Sequence, residues 1–307
     1  MRKRSPFSNS DVTYQNCVND NGIVTSCEDT HMPGGRQTPS ESATFTSCVF
    51  LRLNSAVNGS AISFTSSGTL RISYSSFEQC SSSVGVHVYY GGGAVCVDNG
   101  NLFVYFSIFL CCSTSCYGGC ILAQTSCVSS SVLSCMFITC DALYGGGLMT
   151  YWGPTSFVSS SRFISSHATK TGGGLYHDSD KDTSWILLSD SLFTGNCADW
   201  SPNRGGGAFE DYRYHSYESD YHFLFFSGNT APYGKGCDIC IAGSPVEIKS
   251  IIHCFTTVTS NSIWNVDGHM HNWRPLGEMP YPTPAQINES YHHRKLCHHF
   301  FLSHVFH

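Results

Sequence analysis

Two short motifs recur in step along the chain, and their shared spacing constrains the fold more than any other feature. A glycine motif reads GGGAV from Gly91, GGCIL from Gly118, GGGLM from Gly145, GGGLY from Gly172 and GGGAF from Gly205. Weaker copies are GKGCDI from Gly234 and NGSAI from Asn58. A phenylalanine motif reads FTSC from Phe45, FEQC from Phe77, FLCC from Phe109, FITC from Phe137, FISS from Phe163, FTGN from Phe193 and FSGN from Phe226. Both series return about every 26 to 33 residues, so one structural unit is repeated along the chain. Between the motifs, apolar residues fall at every second position, as in Leu102, Val104, Phe106 and Ile108, or Ile186 and Leu188. That period of two, with β-branched and aromatic residues, predicts strands, and no segment sustains a helical period.

A unit of this size cannot bury its apolar residues alone. Stacked at about 4.8 Å per coil, each strand lays one row of side chains over the next, which predicts an all-β parallel β-helix, a β-solenoid of about seven coils. The coils are expected over residues 41–250. Residues 1–40 are expected to be an irregular flank or partial coil, and 251–307 an irregular tail rich in His and Pro. The glycines (Gly91, Gly92, Gly93; Gly145, Gly146, Gly147; Gly172, Gly173, Gly174; Gly205, Gly206, Gly207) are expected at a turn that leaves no room for a Cβ or needs positive φ. Phe77, Phe109, Phe137, Phe163, Phe193 and Phe226 are expected to point inward. Three residues on, Cys80, Cys112, Cys140, Asn196 and Asn229 are expected to stack at a tight turn, Asn as a side-chain ladder and Cys as a small buried hydrophobe.

These motifs resemble the repeat of the chlamydial polymorphic outer-membrane proteins, whose signatures are GGA-I and FxxN. GGAV (Gly92–Val95), GGAF (Gly206–Phe209), FTGNCA (Phe193–Ala198) and FSGNTA (Phe226–Ala231) carry the likeness, which spans roughly 41–243. The resemblance implies a right-handed parallel β-helix of the pectin-lyase-like kind, displayed on a cell surface and used in adhesion. The chain departs from the family in replacing several of its asparagines with cysteine.

Pectin-lyase-like folds host polysaccharide lyases and glycoside hydrolases, so the acids near the glycine turns are candidate catalysts. Counted from the last glycine of each turn, Asp178 and Asp211 fall at the same place in neighbouring coils. On that count they stack about 5 Å apart, close enough to shift each other's pKa and divide acid and base roles. His177 and Arg213 lie nearby in sequence. Other motifs lead to less. In HDSDKD, Asp178, Asp180 and Asp182 lack the glycine and glutamate of an EF-hand loop, Thr183 and Ser189 standing there instead. The glycine runs enter strands, not helices, and are not phosphate loops. Cys237 and Cys240 form a CxxC without a second pair or a redox context. Cys111, Cys112, Cys116 and Cys120 are candidates for cross-coil disulfides. The tail holds HHRKLCHH (His292–His299) amid prolines, read as a disordered or foreign segment. No metal site and no cofactor is expected.

Only 12% of residues are charged and the net charge is −6, with basic residues scattered, which argues against a nucleic-acid partner. No apolar run is long enough for a transmembrane helix, and the basic start lacks the apolar stretch of a signal peptide. Neither end carries an obvious coil cap, so a fragment of a longer exported protein is expected. The expected function is therefore non-enzymatic: a surface or secreted structural protein, adhesin-like, binding a protein or glycan along one face. Tyr89, Tyr90, Tyr151, Trp152, Tyr212, Tyr214 and Tyr217 could stack on sugar rings or pack on the coil exterior. The alternative is a carbohydrate-active enzyme. Asn58 and Asn288 head two glycosylation sequons.

Overall fold

The computed structural model describes residues 12–28, 34–83, 90–152, 155–179, 184–199, 206–213, 219–231, 238–243, 248–252, 255–256 and 263–265. They form an all-β parallel solenoid of about six turns, without helices among the described residues. No helix there is long and apolar enough to cross a membrane.

Each complete coil lays down four strand segments, each paired in parallel with its counterparts one coil before and one coil after. The first face follows the glycine turn, as in Leu148–Tyr151, Leu175–Ser179 and Phe209–Arg213. The second carries Thr155–Ser159 and Ile186–Ser189, and the third Arg162–Ile164 and Leu192–Thr194. A short fourth face, a separate six-stranded sheet, carries Asp141–Tyr144, His167–Thr171 and Cys197–Ala198. Val12–Asp20 pairs in parallel with Ala43–Thr46 and Val49–Leu51, and antiparallel with Ile23–Glu28. That second partner covers an edge that would otherwise offer unpaired backbone groups. The parallel pairing also continues to Ile263–Asn265.

The interior is a set of vertical columns. On the third face Phe50, Phe77, Phe109, Phe137, Phe163, Phe193 and Phe226 stand over one another, with centroids 4.7 to 5.2 Å apart. The first member is Phe50, not the Phe45 expected from FTSC. Phe45 pairs with Ile72 and belongs to the second-face column of Val104, Val132, Val158, Leu188 and Tyr221. Two interior aromatics five positions apart compete for the same motif, and the shorter first coil puts the wrong one in phase.

Two corners, each with one residue in the left-handed region, set off the third face. Before it come Ser47, Tyr74, Phe106, Ser134, Ser160, Asp190 and Phe223; after it come Arg52, Gln79, Cys111, Thr139, Ser165, Gly195 and Gly228. The residue after each corner is small and buried in most coils, and accepts or donates across coils. Asn196 Nδ2 donates to Phe163 O (2.9 Å), and its Oδ1 accepts from Ser166 N (3.0 Å). Asn229 repeats the arrangement on Phe193 O and Asn196 N. Cys80 and Cys112 take the same place as buried thiols over Phe50 O and Phe77 O. Cys140 instead joins Cys120 in a disulfide, so the cysteine cluster contributes one bridge, while Cys111, Cys112 and Cys116 remain thiols.

The glycine turn is a close approach of backbones. A Cβ on Gly119 would lie 2.0 Å from Gly146 O, and one on Gly146 would lie 2.2 Å from Gly173 O. Strand register shows how the motifs align: Val95, Ile121, Leu148, Leu175 and Phe209 are successive partners. The repeating element is therefore glycine, glycine, a small residue, then an inward apolar residue. Gly91 stands one place ahead of it, and Ala208 takes the place of Gly174.

Candidate functional site

That one-residue offset decides where the acids point. Leu175 pairs with Phe209, so His177 pairs with Asp211 and Asp178 with Tyr212. The expected stack of Asp178 over Asp211 does not form. Because Ala208 replaces the third glycine, counting from the last glycine slips the second coil by one residue. A one-residue slip in a strand moves a side chain to the opposite face.

Asp211 consequently points into the core, in the column of Ala123, Thr150, His177 and Ile241. Thr150 Oγ1 and His177 Nδ1 are 2.6 Å apart, and the Tyr221 hydroxyl donates to Asp211 Oδ2. All four residues have no exposed surface. The line of Thr150, His177, Asp211 and Tyr221 is thus wholly buried inside the coils. It is a polar seam that couples three coils and the second face.

Asp178 points away from the coil interior, and so does Glu210, the neighbour of Asp211, yet both are buried there, at 6% and 0% exposure. Glu210 pairs with Tyr176, two positions from Tyr212, so the two acids lie diagonally on one outer face. Strand geometry puts their Cα atoms roughly 8 Å apart. Around them is a second apolar layer outside the coil: Cys96, Leu122, Met149, Tyr151 and Tyr176, with Tyr117, Tyr144, Trp152 and Tyr212 packed against it. Tyr151 stacks on Trp152 (5.0 Å, 13°), Tyr117 meets Tyr144 edge-on (5.3 Å), and Lys170 Nζ lies 5.1 Å from the Tyr144 ring centre. Tyr176 OH donates to Asp178 Oδ2 at 3.3 Å. Of the aromatics named from sequence, Tyr90 is exposed, Trp152 and Tyr212 are half-buried and Tyr151 is buried. Tyr151, Trp152 and Tyr212 pack on the outside of the first face.

Glu210, one of the acids that follow the glycine turns, was passed over by motif counting in favour of Asp211. The available signal was the apolar residue after each glycine turn: aligned on Leu175 and Phe209, the acids at 178 and 210 share a face. Asn58 lies half-buried at a turn, where its Oδ1 accepts from Gly91 N (3.0 Å). Gly205, Asp180, Asp182, Tyr89, Tyr214, Tyr217, Cys237, Asn288 and the histidine-rich tail lie outside the described residues. So does the side chain of Arg213, whose backbone pairs with Ser179.

No protein-family model, curated protein or solved structure matches the chain.

Proposed function

We propose that the chain is a glycan-binding, surface-displayed β-helix protein that holds a carbohydrate against the outer side of its first face. The observation that carries this reading is the external aromatic layer, in which Tyr117, Tyr144, Trp152 and Tyr212 keep part of their surface in solvent beside Asp178 and Glu210. Aromatic rings supply flat apolar area for sugar faces, and their polar tips can hydrogen-bond to sugar hydroxyls. An exported setting is supported by the Cys120–Cys140 disulfide and by the motif resemblance to the chlamydial polymorphic outer-membrane proteins. That resemblance also carries the right-handed, pectin-lyase-like and adhesive parts of the reading.

A glycan array probed with the whole chain tests the proposal. Binding of one polysaccharide class is expected, weakened at least about tenfold by Trp152→Ala or Tyr212→Ala, a loss of about 1.4 kcal/mol or more. Binding unchanged in both variants would sink it. The Asp178–Glu210 pair on one outer side supports a second reading, a carbohydrate-active enzyme, which requires the layer over these buried acids to open to substrate. Release of reducing ends from the bound polysaccharide, abolished by Glu210→Gln and by Asp178→Asn, would decide for the enzyme. Retention without release decides for the binder.

A further inference from the structure

A second constellation lies on the fourth face, away from the aromatic layer. Asp141, His167 and Cys197 are register partners in three successive coils, and all three side chains lie on the outer side, since Ala142, Ala168 and Ala198 alternate with them into the core. Asp199 follows Cys197 by two positions and so returns to the same side. The imidazole sits between the two acids: Nδ1 is 3.3 Å from Asp141 Oδ2 and Nε2 is 2.8 Å from Asp199 Oδ2. Cys197 Sγ is 3.7 Å from Asp199 Oδ1. One donor atom each from His167, Cys197 and Asp199 lies within 4.8 Å of the others.

We propose that Cys197 Sγ, His167 Nε2 and an Asp199 carboxylate oxygen bind one zinc ion, with Asp141 orienting the imidazole through Nδ1. The donor set argues for the metal. A thiolate with an imidazole suits a borderline-soft cation such as Zn²⁺ and disfavours the hard ions Mg²⁺ and Ca²⁺, which take oxygen ligands. Tetrahedral bonds of about 2.0–2.3 Å separate ligand atoms by about 3.5 Å, so the thiol must close in slightly while the 2.8 Å contact of His167 with Asp199 opens to admit the ion. The carboxylate–histidine–metal arrangement is the usual way a ligating imidazole is held in one tautomer. Binding displaces the thiol proton of Cys197 and any proton on Nε2, which pass to solvent, and no redox change is involved. Three protein ligands leave a fourth position for water. The ion would tie adjacent coils of the fourth face together where the sheet is shortest.

The test is zinc protection of one cysteine. The reduced full-length chain is treated with iodoacetamide at increasing zinc concentration, and labelling is read peptide by peptide. Cys197 is expected to react at least about tenfold more slowly once zinc is bound, because a metal-held thiolate is withdrawn from alkylation, while the exposed Cys111 labels at an unchanged rate. His167→Gln is expected to abolish the protection. Asp141→Asn is expected to raise the half-protecting zinc concentration about 10–100-fold. In parallel, cobalt should give a thiolate charge-transfer absorption that Cys197→Ser removes. Zinc-independent labelling of Cys197 in the unsubstituted protein overturns the proposal, as does protection that survives His167→Gln.

Discussion

At the scale of single residues, one position of register separates the coil interior from the buried outer side of the same strand. His177 and Asp211 face the interior, while Asp178 and Glu210, their neighbours in the chain, face out. Residue types and spacing made the acids near the glycine turns visible in the sequence. Which of them share a face was hidden from glycine counting, because Ala208 stands in for a glycine, and emerges only on alignment at Leu175 and Phe209. The corners make a residue-level prediction. Thr139 is exposed, β-branched and held at φ 53°, in the same corner column as Gly195 at φ 64° and Gly228 at φ 63°. A non-glycine residue in that region costs about 1–2 kcal/mol. Thr139→Gly is therefore expected to stabilise the protein by up to about 1 kcal/mol after glycine's greater unfolded-state entropy is subtracted. Gly195→Val should destabilise it by a similar or larger amount. Thermal unfolding of both variants checks the pair, and a lower midpoint for Thr139→Gly would refute the argument.

At the scale of the element, the phenylalanine motif was legible because its consequence is geometric: a column of parallel rings at the strand spacing. The first coil was misread because Phe45 and Phe50 both fill interior columns and only register tells them apart. The interchange of Cys, Ser and Asn three residues after the phenylalanine has a common cause in the buried corner. The site accepts any small side chain, and Asn also satisfies backbone groups of the preceding coil. Asn196→Ala leaves Ser166 N and Phe163 O without the partners that Asn196 supplies. Each buried unsatisfied group costs about 1–3 kcal/mol, so a loss of about 2–6 kcal/mol is expected in denaturant unfolding. Asn196→Ser should lose less, since Ser166 Oγ already serves Cys140 N in the coil before at 3.4 Å. Equal losses for Ala and Ser would show that the side-chain ladder contributes little.

At the scale of the whole molecule, stability depends on keeping many buried thiols neutral. Burial pushes Cys96, Cys127 and Cys135 up to about 12 from an ordinary value of 9.0. An acid whose folded pKa is raised holds its proton longer when folded than when unfolded. The stability it contributes is complete below about pH 9 and drains away as pH climbs toward 12, by about 1.4 kcal/mol per thiol per pH unit. The unfolding midpoint is therefore expected to fall steeply from about pH 9 upward toward pH 12, and less steeply in a variant with Cys135→Ser. A flat profile across that window would contradict the buried-thiol account. The repeat period, the alternation and the small residues at the corners were enough to determine a parallel solenoid. A unit that cannot bury its own apolar stripe must stack on copies of itself, and only a coil reproduces that period. Only the tertiary structure decided which acids meet and where. A strand's inward side is set by its pairing with the coils above and below, and residues about thirty positions apart, such as His167 and Cys197, become neighbours through stacking alone.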